Sequence, residues 1–159
     1  KDRFIIAPLR NNFNICKIKE NKFKIYISPL TQMNIDHHTY IHTSNIRKLR
    51  RIVRDSKTRG YGARETLRMW PEIKKGEREN IFKFQDDADV VVNSSMIYEV
   101  GVLKTYVEPL LFNVSEDDPE YPEALRLINF LRNFLPIPSD DVPSNSVLRE
   151  FIGGSCFKV

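Results

Sequence analysis

With 159 residues, 41% hydrophobic and 11% aromatic content, the chain is long enough for one domain with a real core and too apolar to remain unfolded. No apolar run approaches the roughly 18 residues of a membrane span. Two widely separated cysteines, Cys16 and Cys156, imply free thiols in a reducing, cytoplasmic setting rather than a disulfide framework. The net charge of +4 hides an asymmetry: Arg47 to Arg78 holds twelve bases against four acids, a net +8, which leaves −4 for the rest. Much of that negative charge is gathered at Glu116-Asp117-Asp118, Glu120, Glu123 and Asp140-Asp141, so a polyanion, whether nucleotide or nucleic acid, has one stretch to bind.

In chain order, Phe4-Ile5-Ile6 reads as a buried strand, and Phe23, Ile25 and Ile27 alternating with Lys24, Tyr26 and Ser28 predict a half-covered one. Residues 29–44 read as a loop. Asp36, His37, His38 and His42 within it are residue types that suit zinc, but no second ligand cluster accompanies them. They are read as solvated side chains, and no metal site is assigned.

A helix over 45–57 would bury Ile46, Leu49 and Val53 and spread Arg47, Arg50, Arg51 and Arg54 over the rest of its circumference. Followed by Arg59 and a flexible Gly60-Tyr61-Gly62 turn, this is an anion-gripping element, because guanidinium forks match phosphate oxygens two at a time. Asp55 is read as the ion-pair partner of Lys57, Arg59 or Arg51, since a carboxylate among guanidiniums is favoured in its charged form.

A second helix, Ala63 to Met69, is expected to end before Pro71, with Trp70 as a packing residue and a basic turn at Lys74-Lys75-Gly76. A strand at Asp89 to Val92 follows. Asn93-Ser94-Ser95 is placed to cap a helix running to about Tyr106, with Ile97, Leu103 and Val107 on its apolar face and Pro109 disturbing its end. Asp118-Pro119 would open another, lined by Leu125, Ile128, Leu131 and Leu135 and stopped by Pro136 and Pro138. Asn145 would cap a last helix, Ser146 to Ile152, closed by Gly153 in the left-handed conformation. Strands separated by helices predict an α/β protein. Only Tyr61 and Trp70 interleave the bases, fewer aromatics than a nucleic-acid stacking platform wants, so nucleic acid is the unfavoured partner.

Several segments together, from Phe23 to Phe157, carry a resemblance. They are Lys22 to Ser28, Leu30 to Asp36, Arg50-Arg51-Ile52-Val53-Arg54-Asp55, Met69-Trp70-Pro71, Arg78 to Phe84, Ala88-Asp89-Val90, Asn93-Ser94 and Leu148 to Phe157. In this order they resemble the C-terminal half of bacterial nucleoside kinases related to uridine kinase and phosphoribulokinase. The resemblance implies part of a P-loop kinase, a parallel sheet flanked by helices, with C-terminal helices beyond it. It implies an ATP- and Mg2+-dependent transferase acting on a nucleoside or related sugar hydroxyl, and makes the arginine segment the lid over the nucleotide. On that basis Arg51 faces the acceptor hydroxyl and transferred phosphate, while Arg54 and Arg59, with Arg50 beside them, face the nucleotide phosphates. The family pattern has an acidic residue where this chain has His37, and arginines where it has Tyr40 and Tyr61. Substrate contacts from the 36–40 loop and pyrimidine specificity are therefore not carried over.

No pair of glycines forms the G-x-x-x-x-G-K-[S/T] loop that cradles phosphates and helps hold magnesium in such enzymes. With Lys1 rather than methionine at the start, the expectation is one piece of a larger enzyme, not catalytic alone, whose N-terminal half would supply the general base and the magnesium ligands. Residues 1–114 are then the C-terminal part of the kinase domain, with the lid at about 45–70, and 115–159 a helical extension. The expected partners are a nucleotide, a small-molecule substrate, that N-terminal half and, through the C-terminal helices, a second copy of the chain; no membrane is expected. The alternatives are a polyanion- or RNA-binding module using the same patch, and a structural or dimerising domain.

Overall fold

The computed structural model describes residues 23–157, so the strand expected at Phe4-Ile5-Ile6 and Cys16 lie outside the described residues. Within them the protein is mixed α/β, with five α-helices and a two-stranded parallel sheet. None of these helices is long and apolar enough to cross a membrane. The described residues divide into two compact units: residues 23–28 with Pro71–Ser94, and Pro29–Trp70 with residues 95–157.

The first unit holds the sheet. Strand β1 (Ile25–Ser28) pairs in parallel with β2 (Val90–Asn93), in the register Ile25 with Val90 through Ser28 with Asn93. Asp89 sets that register from its end: its carboxylate accepts the Lys24 N–H at 2.6 Å, while its own N–H donates to the Lys24 carbonyl at 2.9 Å. The carboxylate is a strand clamp. The β-branched run Val90-Val91-Val92 favours the extended conformation, and all four residues of β2 are exposed.

The second unit is a helical layer around one core. Helix α1 (Thr43–Thr58) buries Ile46, Leu49, Ile52 and Val53, which recur at helical spacing. It packs on α3 (Glu99–Phe112) and α5 (Arg149–Ile152), and α3 packs on α4 (Tyr121–Leu131).

Helix α2 (Ala63–Asn80) corrects the sequence reading, since it runs through Pro71 and absorbs the expected turn at Lys74-Lys75-Gly76. Proline forfeits its own N–H and crowds the preceding turn. The Glu, Lys and Arg residues that follow are strong helix formers and carry the helix onward.

Three further expectations shift. Helix α3 starts at Glu99, with Tyr98 at its cap position and no side-chain cap bond from it, and continues past Pro109 to Phe112, leaving Ile97 exposed. Helix α4 opens at Tyr121 with Pro122, not Pro119, in its first turn, because Asp118 caps the turn before it by accepting the Ser115 N–H at 3.1 Å. Its buried face is Ala124, Leu127, Ile128, Phe130 and Leu131, while Leu125 and Leu135 stay exposed. The last helix shrinks to four residues, preceded by turns, and Gly153 leaves it at φ 87° and ψ 171°, a positive φ but not the left-handed helical region.

Candidate functional site

The 36–42 loop carries histidines of a type that suits a metal. Asp36 instead spends its carboxylate on its own turn, accepting the N–H groups of His38 and Thr39, both at 2.7 Å. Those bonds, the His38 one first, hold its carboxyl below the usual range. Tyr40 packs against His42 in a tilted arrangement, with ring centroids 4.1 Å apart and planes at 49°. No group of three or more His, Cys, Asp or Glu side chains among the described residues is arranged to hold a metal ion.

The arginines resolve into two environments. Arg50 turns inward, its side chain 7% exposed, and forms an ion pair with the fully buried Glu99 of α3. Glu99 also accepts the Met96 N–H at 3.1 Å and so ties the approach to α3 back to α1. Arg50, expected at the anion-facing side, is a core residue here, because at about 100° per residue it lies within about 60° of the buried Ile46 and Val53, four before and three after it, and about 100° from Arg51.

Arg51, Arg54 and Arg59 converge on Asp55, whose side chain is wholly buried. Arg51 Nε donates to Oδ2 at 3.2 Å, Arg59 Nη1 lies 3.1 Å from Oδ1, and Arg54 Nε lies 3.7 Å from Oδ1. Spacings of four residues bring Arg51 and Arg59 onto Asp55 from one turn below and one turn above. The Asp55 carbonyl accepts the N–H groups of Arg59 and Tyr61 at 3.0 and 3.2 Å, and Thr66 of α2 points its hydroxyl at Oδ2 from 3.5 Å. Gly60, at φ 68°, supplies the left-handed residue between helices α1 and α2. One residue therefore gathers the end of α1, the glycine turn and the start of α2.

Three cations share one carboxylate, leaving a local excess of two positive charges on guanidiniums that keep part of their surface in water. Burial, then the like charge of Arg51, holds Arg54 below the ordinary arginine value, while Asp55 pulls the other way. A phosphate at this surface would relieve that repulsion.

Three of the remaining basic residues are paired with acids remote in sequence, which sequence reading missed. Lys48 pairs with Glu123, Arg64 with Asp118, and Arg68 with Glu120, all acids from the α4 region. Lys48 also sits 5.2 Å from the centre of the buried Trp70 ring. The net +8 of the Arg47–Arg78 stretch is thus drawn down by acids remote in sequence, and no local signal marks those partners. Part of the stretch is therefore not the open polycationic surface its composition suggested, and at Asp55 three arginines share one carboxylate. Comparison of the chain with protein-family models, curated proteins and solved structures finds no match.

Proposed function

We propose that the Asp55 cluster grips the phosphates of a nucleotide, as the lid of an ATP-dependent kinase that transfers the γ-phosphate to a nucleoside or related sugar hydroxyl. The observation that supports this reading is the convergence of Arg51, Arg54 and Arg59 on one buried carboxylate beside the Gly60 turn. Guanidiniums so held offer forked donors to non-bridging oxygens without first being gathered from solution, and charge-assisted bonds of this kind are worth about 1.5–3 kcal/mol each. In the proposed roles Arg51 faces the acceptor and the transferred phosphate, and Arg54 and Arg59 neutralise the nucleotide phosphates. Arg50 has a structural role. In this reading the metal, the glycine-rich cradle and the general base would come from the N-terminal half that the resemblance implies.

Calorimetric titration of this chain with ATP and with pyrophosphate at two salt concentrations tests the reading. Binding is expected to be weak and salt-sensitive, because partly exposed charges are screened within about 10 Å at 0.1 M salt. Each of Arg54→Ala and Arg59→Ala should weaken it by about tenfold, the equivalent of 1.4 kcal/mol. In competition by fluorescence anisotropy, one nucleoside triphosphate should displace a labelled probe about as well as an oligonucleotide does. Affinity that climbs with strand length and depends on Lys74 and Lys75 would overturn the lid reading in favour of an RNA-binding surface.

A further inference from the structure

We infer that Asp55 is the positioning residue of this site: it holds Arg51, Arg54 and Arg59 as one convergent set, and an inorganic or nucleotide polyphosphate binds because that set exists before the ligand arrives. The inference rests on the phosphate-gripping reading and adds a residue that touches no ligand. Its basis is the division of labour between the two carboxylate oxygens. Oδ2 accepts from Arg51 and faces the Thr66 hydroxyl; Oδ1 accepts no hydrogen bond and holds Arg59 at 3.1 Å and Arg54 at 3.7 Å by charge alone. Three guanidiniums left to themselves repel one another and splay apart into solvent. A buried anion with two oxygens holds them together at a cost in desolvation that only such pairing offsets. The Asp55 carbonyl fixes the turn that carries Arg59, so one residue governs both where that arginine starts and where its fork ends.

This makes a prediction whose sign opposes simple charge counting. Asp55→Asn preserves shape and removes a negative charge beside three cations, so added positive potential alone would tighten anion binding. An amide, however, has one oxygen, and its nitrogen is a donor that faces whichever arginine loses its acceptor. With tripolyphosphate as the probe, Asp55→Asn should bind about tenfold more weakly than wild type, through loss of the charge-assisted bonds that pre-place the forks.

Unchanged or tighter binding by a folded Asp55→Asn variant overturns the positioning role and leaves the lid reading standing. Absence of binding by the wild-type chain overturns the lid reading itself, and this inference with it. A second measurement is independent of the variant's folding. In the ligand-free wild-type protein, the Nε–Hε groups of Arg51 and Arg54, assigned by single Arg→Lys substitutions, should show restricted motion by NMR relaxation, unlike the exposed Arg132. Motion as free as that of Arg132 would sink the inference.

Discussion

Arg50 gives up water for the buried carboxylate of Glu99 and the face of the Phe151 ring, and the consequence is carried by Glu99. Breaking a buried ion pair by deleting one partner strands the other charge, at a cost of about 3–5 kcal/mol, whereas replacing both by apolar groups is often neutral. Glu99→Ala also removes the acceptor for the Met96 N–H. Glu99→Ala is therefore expected to lower unfolding free energy by about 3–5 kcal/mol, and the double variant Arg50→Met with Glu99→Leu to recover most of it. Urea denaturation of the three proteins checks this. A double variant no more stable than Glu99→Ala would mean that the pair does more than satisfy itself. Thr66 offers a milder test at the same scale: Thr66→Val leaves Oδ2 with Arg51 and should cost about 1 kcal/mol with little effect on anion binding.

Among the elements, α3 is the one whose packing leaves no latitude. A Cβ at Gly101 would lie 2.7 Å from the end of Ile137 and 2.8 Å from the Leu135 carbonyl oxygen. The Ile137 N–H donates to the Gly101 carbonyl at 3.1 Å, so the 135–137 segment lies directly against the helix at its smallest residue. Lys104 holds the same region from below by donating to the carbonyls of Leu131 and Phe134 at 3.0 and 2.9 Å, closing the end of α4. Alanine is the better helix former by about 1 kcal/mol, yet Gly101→Ala should destabilise by about 1–3 kcal/mol, because a backbone carbonyl cannot step aside as a side chain can. A thermal melt that rises instead would show that the segment is able to move away.

Across the whole molecule, charge pairing sets the response to acid. Bonds from Arg126, and then from Lys48, hold the Glu123 carboxyl down to about 2, against 4.5 for the unperturbed group. The Arg68 bond likewise lowers Glu120. The folded state binds these protons more weakly than the unfolded chain, so the stabilisation is complete above about pH 4.5 and is lost as pH falls toward 2. With a third of the Glu123 side chain in water, screening limits its share to on the order of 1 kcal/mol. Glu123→Gln should thus be less stable than wild type at pH 7, by a margin that shrinks between pH 4.5 and pH 2. Melting curves at these pH values check it, and a constant margin would exclude the charge as the cause.

The sequence by itself determined what depends on near neighbours. The three-to-four spacing of Ile46, Leu49 and Val53 is enough to place α1, and the fourfold spacing of Arg51, Asp55 and Arg59 is enough to bring them together. Alternation at 23–28 and the valine run after Asp89 mark strands, because side-chain period is a local property. Neither says that the two strands pair, or in parallel; that expectation came with the resemblance, and the pairing depends on contacts 65 residues apart. Position on a helix surface likewise does not say what lies opposite it. Leu125 and Leu135 were expected inside and lie outside, while the small Ala124 is buried, because the face of α4 is chosen by its packing on α3. For the same reason only the tertiary structure separates Arg50 from Arg51. Glu99, Glu120 and Glu123 reach the basic stretch from distant elements and pair with Arg50, Arg68 and Lys48, while Arg51, Arg54 and Arg59 share the one carboxylate of Asp55.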